Sequence, residues 1–581
     1  SSVGWPWTRS RSLINLNCFY FMQKIKSFYQ SARGKFIITI TGISSIFVLT
    51  SAVTSADLFE IGKNIDIFTS VYKELNTYYV DDVDPNKLMR TGIDAMLESL
   101  DPYTNYISEA ELEGYKFQIT GNYGGIGASI RTIDGQSTVV ECFEGFAAEK
   151  SGLIPGDIIL EIDGKKLSDV NQDGISDLLR GSPGTTLTLK VNRPLDNKTF
   201  DLAIVREDID VHNVPYYGFV EDGIGYIILN QFTEDAGLNI GNAVKELKKL
   251  NPAMNGIILD LRGNPGGLLR EAVNVSNVFI DKGEEVCSTL GKVKEWDKTF
   301  NTLNGAIDSK INLVVLTNSS SASASEIVAG TIQDYDRGVI LGEKSFGKGL
   351  VQTTRDISFN TKLKLTTAKY YIPSGRCIQA LDYSHRNEDG SVGKLPDSLK
   401  TAFKTKNGRT VYDGGGIDPD VKVERESYRD ITISLIRKNH IFNYATIYHH
   451  DHPEITNAKS FTLTDKEYET FVEWLKGKEY DYTTATEQDL EYLEASAKED
   501  AYYDALKDDF TSLKSKITHD KEKDLYKFKT EIMAELNAEI VSRYYNEDGR
   551  IEANFDQDKE IIEAVKLLKD ENQYKSLLQP K

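Results

Sequence analysis

The spacing of apolar and polar residues divides the chain into four successive regions. Between residues 57 and 116, apolar side chains recur every three or four positions, as in LFEIGKNIDIFTSVYKELNTYY, which predicts amphipathic helices. From 117 to 206, short runs such as TLTLKVNR alternate with glycine-rich turns and predict a small β-domain. Residues 207–423 alternate strand and helix patterns, and residues 424–581 return to a helical period.

The alternating region, 207–423, has the pattern of a layered α/β domain. The predicted strands are GIGYIILN, NGIILDL, INLVVLTN and RGVILGE. The predicted helices are EDAGLNIGNAVKELKKL, EAVNVSNVFI and SASEIVAGTIQDY. This order predicts a βαβ-type layered core, and the chain as a whole is predicted to be an α/β multidomain protein.

The N-terminal region carries an uninterrupted apolar run, FIITITGISSIFVLTSAV, at residues 36–53. Residues 1–35 contain six Lys or Arg and no Asp or Glu, and such a cationic flank is typical of a signal peptide or a membrane anchor. A buried core helix is the alternative, which the asymmetric flanks disfavour. We therefore predict that segment 36–56 is either a cleaved signal or an anchor, and that the rest is exported to the periplasmic side of the cell envelope. Met22 begins a typical cationic n-region, MQKIKSFYQSARGK, so we expect residues 1–21 to lie upstream of the true start.

Charge and cysteine content exclude two classes of function. The formal net charge is −20, which leaves −26 on the chain after residue 35, whereas nucleic-acid binding needs a basic face. The four cysteines are scattered without a CxxC pair, which favours neither a zinc site nor a disulfide framework. The run YHHDH at 448–452 lacks a matching ligand cluster, so we predict solvated histidines there and no metal.

A glycine-rich loop, YGGIGASI, begins the β-rich region. Convergent backbone N–H groups in such a loop bind carboxylates, although an ordinary glycine hairpin has the same local composition. The longer runs GLIPGDIILEIDGKKL and LLRGSPGTTLTLKVNR resemble a PDZ domain, over about residues 117–206. The resemblance implies strand addition of a peptide whose C-terminal carboxylate is held by Gly124, Gly125, Ile126 and Gly127.

The run SSSASASEIVAG at residues 319–330 leads directly into a helix pattern. Ser323 and Glu326 have the spacing of a capping box, in which the serine merely accepts a backbone N–H, worth about 1 kcal/mol. The same position also favours catalysis, because free N–H groups and the helix dipole stabilise an oxyanion there. The Ala324 N–H is one candidate donor, and the loop that ends GIILDLRGNPGG, residues 256–267, is a candidate for the second.

A serine nucleophile needs a general base, and the sequence offers a lysine rather than a histidine. The predicted core patterns contain none of the seven histidines, which are His212, His385, His440, His449, His450, His452 and His519. Lys348 lies in the run SFGKG, where burial beside Phe346 and glycines would lower its pKa from about 10.4 towards 7 or 8. The alternative is an ordinary surface lysine in a hairpin.

The run SASASEIVAGTIQDYDRGVILGEKSFGKGLVQ resembles the signature of the carboxyl-terminal processing proteases, also called tail-specific proteases. The likeness extends through DLRGNPGG, KYYIPSGRCIQ and GGGIDPDV, over about residues 57–423. It implies a crotonase/ClpP-like layered serine protease core with an inserted PDZ domain and an N-terminal helical segment. It also implies Ser323 as nucleophile, Lys348 as general base and Gln352 as the residue that orients the lysine, with no cofactor.

The same resemblance implies an oxyanion hole formed by the Ala324 amide and a glycine of GNPGG, for which we favour Gly266 over Gly267. The expected function is an exported serine endopeptidase that recognises protein C-termini and cuts through an acyl-enzyme. A non-catalytic PDZ scaffold is the alternative, which the presence of serine, lysine and glutamine disfavours. Expected partners are proteins or peptides with accessible C-termini, while a homo-oligomer and membrane association through 36–53 are left open. Residues 424–581 are predicted to form a helical accessory domain for assembly or substrate gating.

Overall fold

A computed structural model describes residues 58–580 except 169, 388, 395, 425–426 and 518–520. The predicted basic segment 1–35 and apolar segment 36–56 lie outside the described residues, as does the membrane association assigned to them. Where the chain is described, no helix is both long enough and apolar enough to cross a membrane. The chain separates into two compact units between residues 99 and 100.

The described part of the first unit is helical, as the spacing predicts. One helix covers residues 58–78, and a second runs from Pro85 to Glu98. Asp84 is the N-cap of the second helix, and its side chain accepts two backbone N–H groups of the first turn. Pro85 fits the start of the helix because its missing N–H would have no partner there.

The remainder of the segment predicted as helical is mixed. Leu112–Thr120 is a helix after the short 3-10 turn Glu109–Glu111, but Asn105–Ile107 is a strand. It pairs antiparallel with Thr361–Tyr371. The helix prediction is wrong at this strand because pairing with a distant segment overrides the local pattern.

The β-rich region forms a sheet and a separate strand pair. The sheet order is Ala128–Ile133, Gln136–Cys142, Ile158–Ile162, Thr186–Arg193 and Lys198–Val205, with Lys165–Lys166 beside Ile158–Ile162. Asn122–Gly125 pairs antiparallel with Glu207–Asp210, and the helices are Ala147–Lys150 and Gln172–Leu179. Ala128–Ile133 is an edge strand, so one of its sides has no strand partner within the described residues.

The alternating region contains a six-stranded central sheet. Its strands, in order, are Tyr217–Glu221, Ile224–Ile228, Gly256–Asp260, Asn312–Thr317, Val339–Gly342 and Val421–Lys422. The first pair is antiparallel and the others are parallel. The helices of this region are Ala236–Leu250, Leu269–Phe279 and Ala324–Asp334. The predicted alternation of strands and helices is thus found in a mainly parallel sheet.

Both faces of the central sheet are buried, which explains its nearly continuous apolar strands. Ile257, Leu259 and Val315 pack with the three helices of the same region. The intervening residues Ile258 and Val314 pack instead against helices near the C-terminus, which are Lys559–Lys569 and Glu571–Leu577. The core therefore does not end at residue 423, because its second face is covered by a segment that we predicted to be accessory.

A second sheet carries the segment after SFGKG. Its order is Asn105–Ile107, Thr361–Tyr371, Glu285–Gly291 and Lys298–Asn301, and Leu350–Ile357 also pairs with Thr361–Tyr371. Lys294–Trp296 and Asp397–Leu399 are 3-10 turns. Two further strand pairs join Leu381–Arg386 to Val392–Lys394 and Ala402–Lys404 to Thr410–Tyr412. The hairpin of Leu350–Ile357 and Thr361–Tyr371 fixes the position of the preceding lysine loop.

Residues after 424 are predominantly helical, as predicted. The helices that precede those on the central sheet are Asp430–Arg437, His440–Asp451, Asp465–Leu475, Ala485–Glu499, Tyr503–Ile517, Lys521–Lys527 and Lys529–Asn554. The last of these is kinked at Tyr545 and Asn546. Several helices share a separate apolar core that includes Leu435, Phe471 and Leu536.

Candidate active site

Ser323 lies at the N-cap of the helix Ala324–Asp334, after a central strand and its turn. Its backbone has φ 55° and ψ −111°, a strained conformation that costs on the order of 1–3 kcal/mol. Ser323 and Glu326 form a capping box, in which the Ser323 side chain faces the Glu326 backbone N–H and the Glu326 carboxylate accepts the Ser323 N–H at 2.8 Å. The Ser323 hydroxyl is half-buried, and a capping contact uses only its oxygen as an acceptor, so its proton is still available to a base.

The neighbouring serines hold the turn in place. Ser321 Oγ donates to the carbonyl oxygen of Leu261 at 2.8 Å, and Ser325 Oγ donates to that of Asn264 at 2.9 Å. The Ala322 N–H donates to the same Asn264 carbonyl at 3.0 Å. The alternate serines thus fasten the turn to the DLRGNPGG loop, and this explains a pattern whose purpose the sequence alone did not reveal.

The two predicted oxyanion segments meet at Gly266. A Cβ atom added there would lie 2.7 Å from the Ala322 carbonyl oxygen and 2.9 Å from the Ala324 nitrogen. The Ala324 N–H is at the first position of its helix and has no hydrogen-bond partner among the described residues. It suits an oxyanion donor as predicted.

The preference for the Gly266 amide needs correction. Its N–H donates to Asn264 Oδ1 at 2.8 Å, so it is engaged within its own loop. The Gly267 N–H makes no hydrogen bond to any described residue. The N–H of the next residue, Leu268, donates to the Phe232 carbonyl oxygen at 2.8 Å. Gly267 is therefore the better candidate for the second donor, and Gly266 provides the space in which the two loops approach.

Glu326 joins the serine turn to the lysine loop. Its fully buried carboxylate accepts the backbone N–H of Ser323 at 2.8 Å and that of Lys348 at 2.9 Å. It also accepts the Gly347 N–H at 2.7 Å and the Ser345 hydroxyl at 2.6 Å. Burial raises the pKa of Glu326 to about 7, although the four donors favour the charged form. One carboxylate thus fixes the spacing between the backbones that carry the predicted nucleophile and base.

Tyr370 makes the corresponding contact on the carbonyl side. Its buried hydroxyl lies 2.6 Å from the carbonyl oxygen of Lys348 and 3.1 Å from that of Ser323. Because a hydroxyl has a single proton, it donates to one of them at a time. Burial raises the pKa of Tyr370 well above its ordinary value, so the group stays a neutral donor.

Lys348 is half-buried, and its pKa is lowered to about 8. Burial is the main cause and the charge of Lys364 adds to it, while Glu326 and Asp101 act in the opposite direction. At pH 7 a group with this pKa is neutral in about a tenth of the molecules, compared with a negligible fraction for an ordinary lysine. The alternative of an ordinary surface lysine does not fit this environment.

The aromatic neighbour of Lys348 is not the one we predicted. Phe346 is 50% exposed, and the Lys348 ammonium lies 4.3 Å from the centre of the Tyr103 ring. Lys348 Nζ and Ser323 Oγ, both described, are not hydrogen-bonded to each other. The backbone contacts of Glu326 hold the two residues near one another, and catalytic hydrogen bonds often tighten only when substrate is bound.

The predicted role of Gln352 is not seen. Its side-chain amide donates to Thr366 Oγ1 at 3.1 Å, and it makes no hydrogen bond to Lys348 in the described structure. A β-bulge between Val351 and Gln352 shifts the register of the hairpin at this point. Thr366 in turn donates to Asp101 at 3.2 Å, so Gln352 belongs to a polar network beside the lysine loop.

The four predicted carboxylate-binding residues have different roles. Ile126 and Gly127 have backbone N–H groups without a partner in the described residues, as a carboxylate site requires. Gly124 instead permits close approach, because an added Cβ would lie 2.1 Å from the Gly181 carbonyl oxygen. An added Cβ at Gly125 would lie 2.5 Å from the Tyr123 ring.

A cavity of about 80 Å³ adjoins this loop. Ile126 and Leu179 contribute apolar walls, and the half-buried Arg180 also lines it. The Arg180 guanidinium lies 5.3 Å from the centre of the Tyr123 ring. A small, partly apolar cavity between unused N–H donors and a cation suits a peptide end that carries a carboxylate.

The histidines of YHHDH are engaged with protein groups. His452 stacks on Tyr448 with ring centres 4.0 Å apart, and His450 lies 3.0 Å from Asp451. No set of three or more His, Cys, Asp or Glu side chains in the described ranges is arranged to hold a metal ion.

Several contributors to the site were missed by sequence reasoning. Glu326 was noted only as a capping residue, and Tyr370 only as part of the run KYYIPSGRCIQ. Tyr103 and Asn264 received no role. Their contacts depend on loops that are distant in sequence, and the DPYTNY run around Tyr103 was hidden inside a segment predicted as helical.

Family comparisons match three parts of the chain. Peptidase family S41 matches residues 223–384, a PDZ domain matches 144–193, and the C-terminal helical domain of a probable PDZ-protease matches 431–568. The chain is 37% identical over 352 residues to the carboxy-terminal-processing protease of Bartonella bacilliformis, covering 60% of this chain and 80% of the relative. It is also 37% identical over 318 residues to a probable CtpA-like serine protease of Staphylococcus aureus, covering 54% and 62% respectively.

Among solved structures, the photosystem II D1 C-terminal processing protease is 25% identical, with a TM-score of 0.33. The match covers 61% of this chain and 92% of that protein's chain. The PDZ domain of the carboxy-terminal protease from Vibrio cholerae, solved with a peptide, is 26% identical with a TM-score of 0.15. It covers 16% of this chain and 99% of its own.

Replacing Gly266 with alanine tests the meeting point of the two loops. The new methyl group would displace the Ala324 amide, and we expect Ser323-dependent peptide hydrolysis to fall by roughly 100-fold or more in kcat. Gly283→Ala is the matched control, because Gly283 also has positive φ but lies outside these two loops and has open space around its Cβ position. The measurement is kcat of each variant from steady-state kinetics, and the melting temperatures show whether both variants are folded. Equal activities would contradict this site geometry.

Proposed function

This chain belongs to the carboxy-terminal-processing proteases of peptidase family S41 and contains a PDZ domain, and we propose that it is an endopeptidase in which Ser323 and Lys348 form the catalytic dyad. The observation that carries the proposal is the shared carboxylate of Glu326. It binds the backbone of both residues, while burial lowers the pKa of Lys348 to about 8.

The proposed reaction begins with neutral Lys348 as general base. Lys348 Nζ takes the Ser323 hydroxyl proton as Oγ attacks the peptide carbonyl carbon, and the C=O π pair moves onto oxygen. The Ala324 and Gly267 N–H groups and the positive end of the helix stabilise this oxyanion. The Lys348 ammonium then gives its proton to the leaving nitrogen as the C–N bond breaks.

The acyl-enzyme is hydrolysed by the same groups in the second half of the reaction. Neutral Lys348 takes a proton from water, whose oxygen attacks the ester carbonyl carbon. The protonated lysine returns that proton to Ser323 Oγ as the ester bond breaks, and the N-terminal fragment leaves with its new carboxyl group. The strained backbone of Ser323 supports this assignment, because strain of this kind concentrates at functional sites.

The PDZ domain is proposed to select substrates by their C-terminal carboxylate. The unused N–H groups of Ile126 and Gly127 and the nearby Arg180 support carboxylate binding. The free edge of Ala128–Ile133 supports addition of the peptide as an extra strand. The expected partners are accordingly proteins or peptides with accessible C-termini.

Export to the periplasmic side of the cell envelope is part of the proposal. Its support is the cationic segment 1–35 followed by the uncharged segment 36–53. Removal as a signal peptide and retention as a membrane anchor both fit this pattern. Crotonase/ClpP-like layering of the core and assembly into a homo-oligomer also stay predictions.

The substitution Lys348→Arg tests whether Lys348 acts as the general base or has only a structural role. A guanidinium stays protonated and cannot accept the Ser323 proton, so Lys348→Arg should lose at least roughly 1,000-fold in kcat, as should Ser323→Ala. Lys344→Arg is the matched control, because Lys344 is a nearby lysine that pairs with Asp418 at 3.0 Å. Turnover of an unfolded protein substrate and thermal melting are measured for all three.

A folded Lys348→Arg protein with normal turnover would remove the lysine from the mechanism. Wild-type cleavage that survives in Ser323→Ala would remove the serine. No Ser323-dependent cleavage by the wild-type protein would favour the non-catalytic scaffold instead.

Amidation of a peptide's C-terminus tests carboxylate recognition. Charge-assisted hydrogen bonds contribute about 1.5–3 kcal/mol, so we expect the amide to bind roughly 10- to 100-fold more weakly than the free acid. Titration calorimetry on Ser323→Ala avoids cleavage during the measurement, and an N-terminally acetylated acid is the control. Equal affinity for acid and amide would rule out carboxylate recognition by this loop.

A further inference from the structure

The C-terminal helical domain contacts the protease core at Arg262. Its guanidinium binds Asp260 at 2.6 Å, at the end of a central strand, and Asp558 at 2.8 Å, just before the helix Lys559–Lys569. Glu560, in the first turn of that helix, binds the same guanidinium. Arg262 is largely buried, and Glu560 is 3% exposed.

Asp558 links this contact to the helix itself. Its Oδ1 caps the helix by accepting the N–H groups of Glu560 at 3.0 Å and Ile561 at 3.1 Å. Its Oδ2 is the atom that binds Arg262. The start of the helix and the position of the guanidinium are therefore fixed together.

Arg262 also stands directly before the loop that meets the serine turn. On one side of it, the Leu261 carbonyl accepts the Ser321 hydroxyl. On the other side, the Gly263 N–H donates to Asn318 Oδ1 at 3.0 Å. The loop then continues to Gly267, the proposed oxyanion donor, so a shift of Arg262 would move both sides of the oxyanion hole.

The charges around Arg262 are not what stability alone would favour. Asp260, Asp558 and Glu560 place three carboxylates around one guanidinium. In addition, Glu560 Oε1 is buried without a hydrogen-bond partner among the described residues. Apolar side chains of similar size commonly stabilise such a position equally well or better. A buried charge cluster next to a catalytic loop therefore needs another explanation.

We propose that Asp558 and Glu560 are positioning residues for the oxyanion hole, which they act on through Arg262 and the loop after it. This inference rests on the proposed Ser323 mechanism, and it gives the C-terminal helical domain a direct part in that reaction. The domain contributes no group to the reacting atoms. It fixes where the Gly267 and Ala324 N–H groups stand when the oxyanion forms, and a small displacement of such donors has a large effect on rate.

Asp558→Asn and Glu560→Gln test the proposal with little change in shape. Asparagine is as good an N-cap as aspartate, so Asp558→Asn keeps the helix start while weakening its contact with Arg262. Glu563→Gln is the matched control on the same helix, because Glu563 pairs with the exposed Lys566 at 3.2 Å. All variants are made in the full chain.

The readouts separate positioning from a general loss of structure. We expect kcat to fall by roughly 10- to 100-fold in Asp558→Asn and Glu560→Gln, with KM changed by no more than about 2-fold. A peptide aldehyde adds the Ser323 hydroxyl to its carbonyl and places the resulting oxygen in the oxyanion hole, so its affinity should weaken in parallel with kcat. Binding of a free-acid peptide to the PDZ domain should not change, and Glu563→Gln should match wild type throughout.

The proposal would be overturned if Asp558→Asn and Glu560→Gln both kept the kcat and the aldehyde affinity of the wild-type enzyme. If Glu560→Gln does not fold, Asp558→Asn decides alone. A wild-type enzyme with Ser323-dependent cleavage that these substitutions leave intact would refute this inference and spare the proposed function. Absence of Ser323-dependent cleavage in the wild-type chain would refute both.

Discussion

The buried carboxylate of Glu326 is the interaction on which the candidate site depends. Two loops that are distant in sequence donate backbone N–H groups to this carboxylate. They are the serine turn and the segment before the strand Leu350–Ile357. A buried carboxylate is costly unless it is fully hydrogen-bonded, and here four donors meet that requirement. Loss of either loop from this contact would leave the charge unsatisfied, so the two loops are held together.

Burial raises the pKa of Glu326 and lowers that of Lys348, so it disfavours the charged form of both groups. Removal of water lowers the pKa of the lysine, whereas the nearby carboxylates Glu326 and Asp101 oppose that change. The desolvation effect is larger, and the result lies close to neutral pH. Because Asp558 and Glu560 bind Arg262, the loop that leads to Gly267 is in contact with the C-terminal helical region as well as with the core.

Sequence reasoning reached the parts of this arrangement that local motifs encode. The placement of Ser323 and Ala324 at a helix start follows from the serine-rich run, and the strand and helix alternation follows from periodicity, while the catalytic roles of Ser323 and Lys348 stay predictions that the family resemblance implies. The role of Glu326 and the strand Asn105–Ile107 could not be predicted, because both depend on pairing between distant segments. The hydrogen bonds of Gly266 and Gln352 differ from those expected for the same reason, since contacts within the folded loops decide which groups are free.

The central claim is that the folded environment makes Lys348 a base near neutral pH. NMR titration of wild-type protein that carries 13C-labelled lysine measures the pKa of Lys348 directly. The spectrum of Lys348→Arg assigns its signal. The account predicts a midpoint at about 8, so that the neutral fraction grows as pH rises through that value. A midpoint at the ordinary lysine value of 10.5 would contradict it.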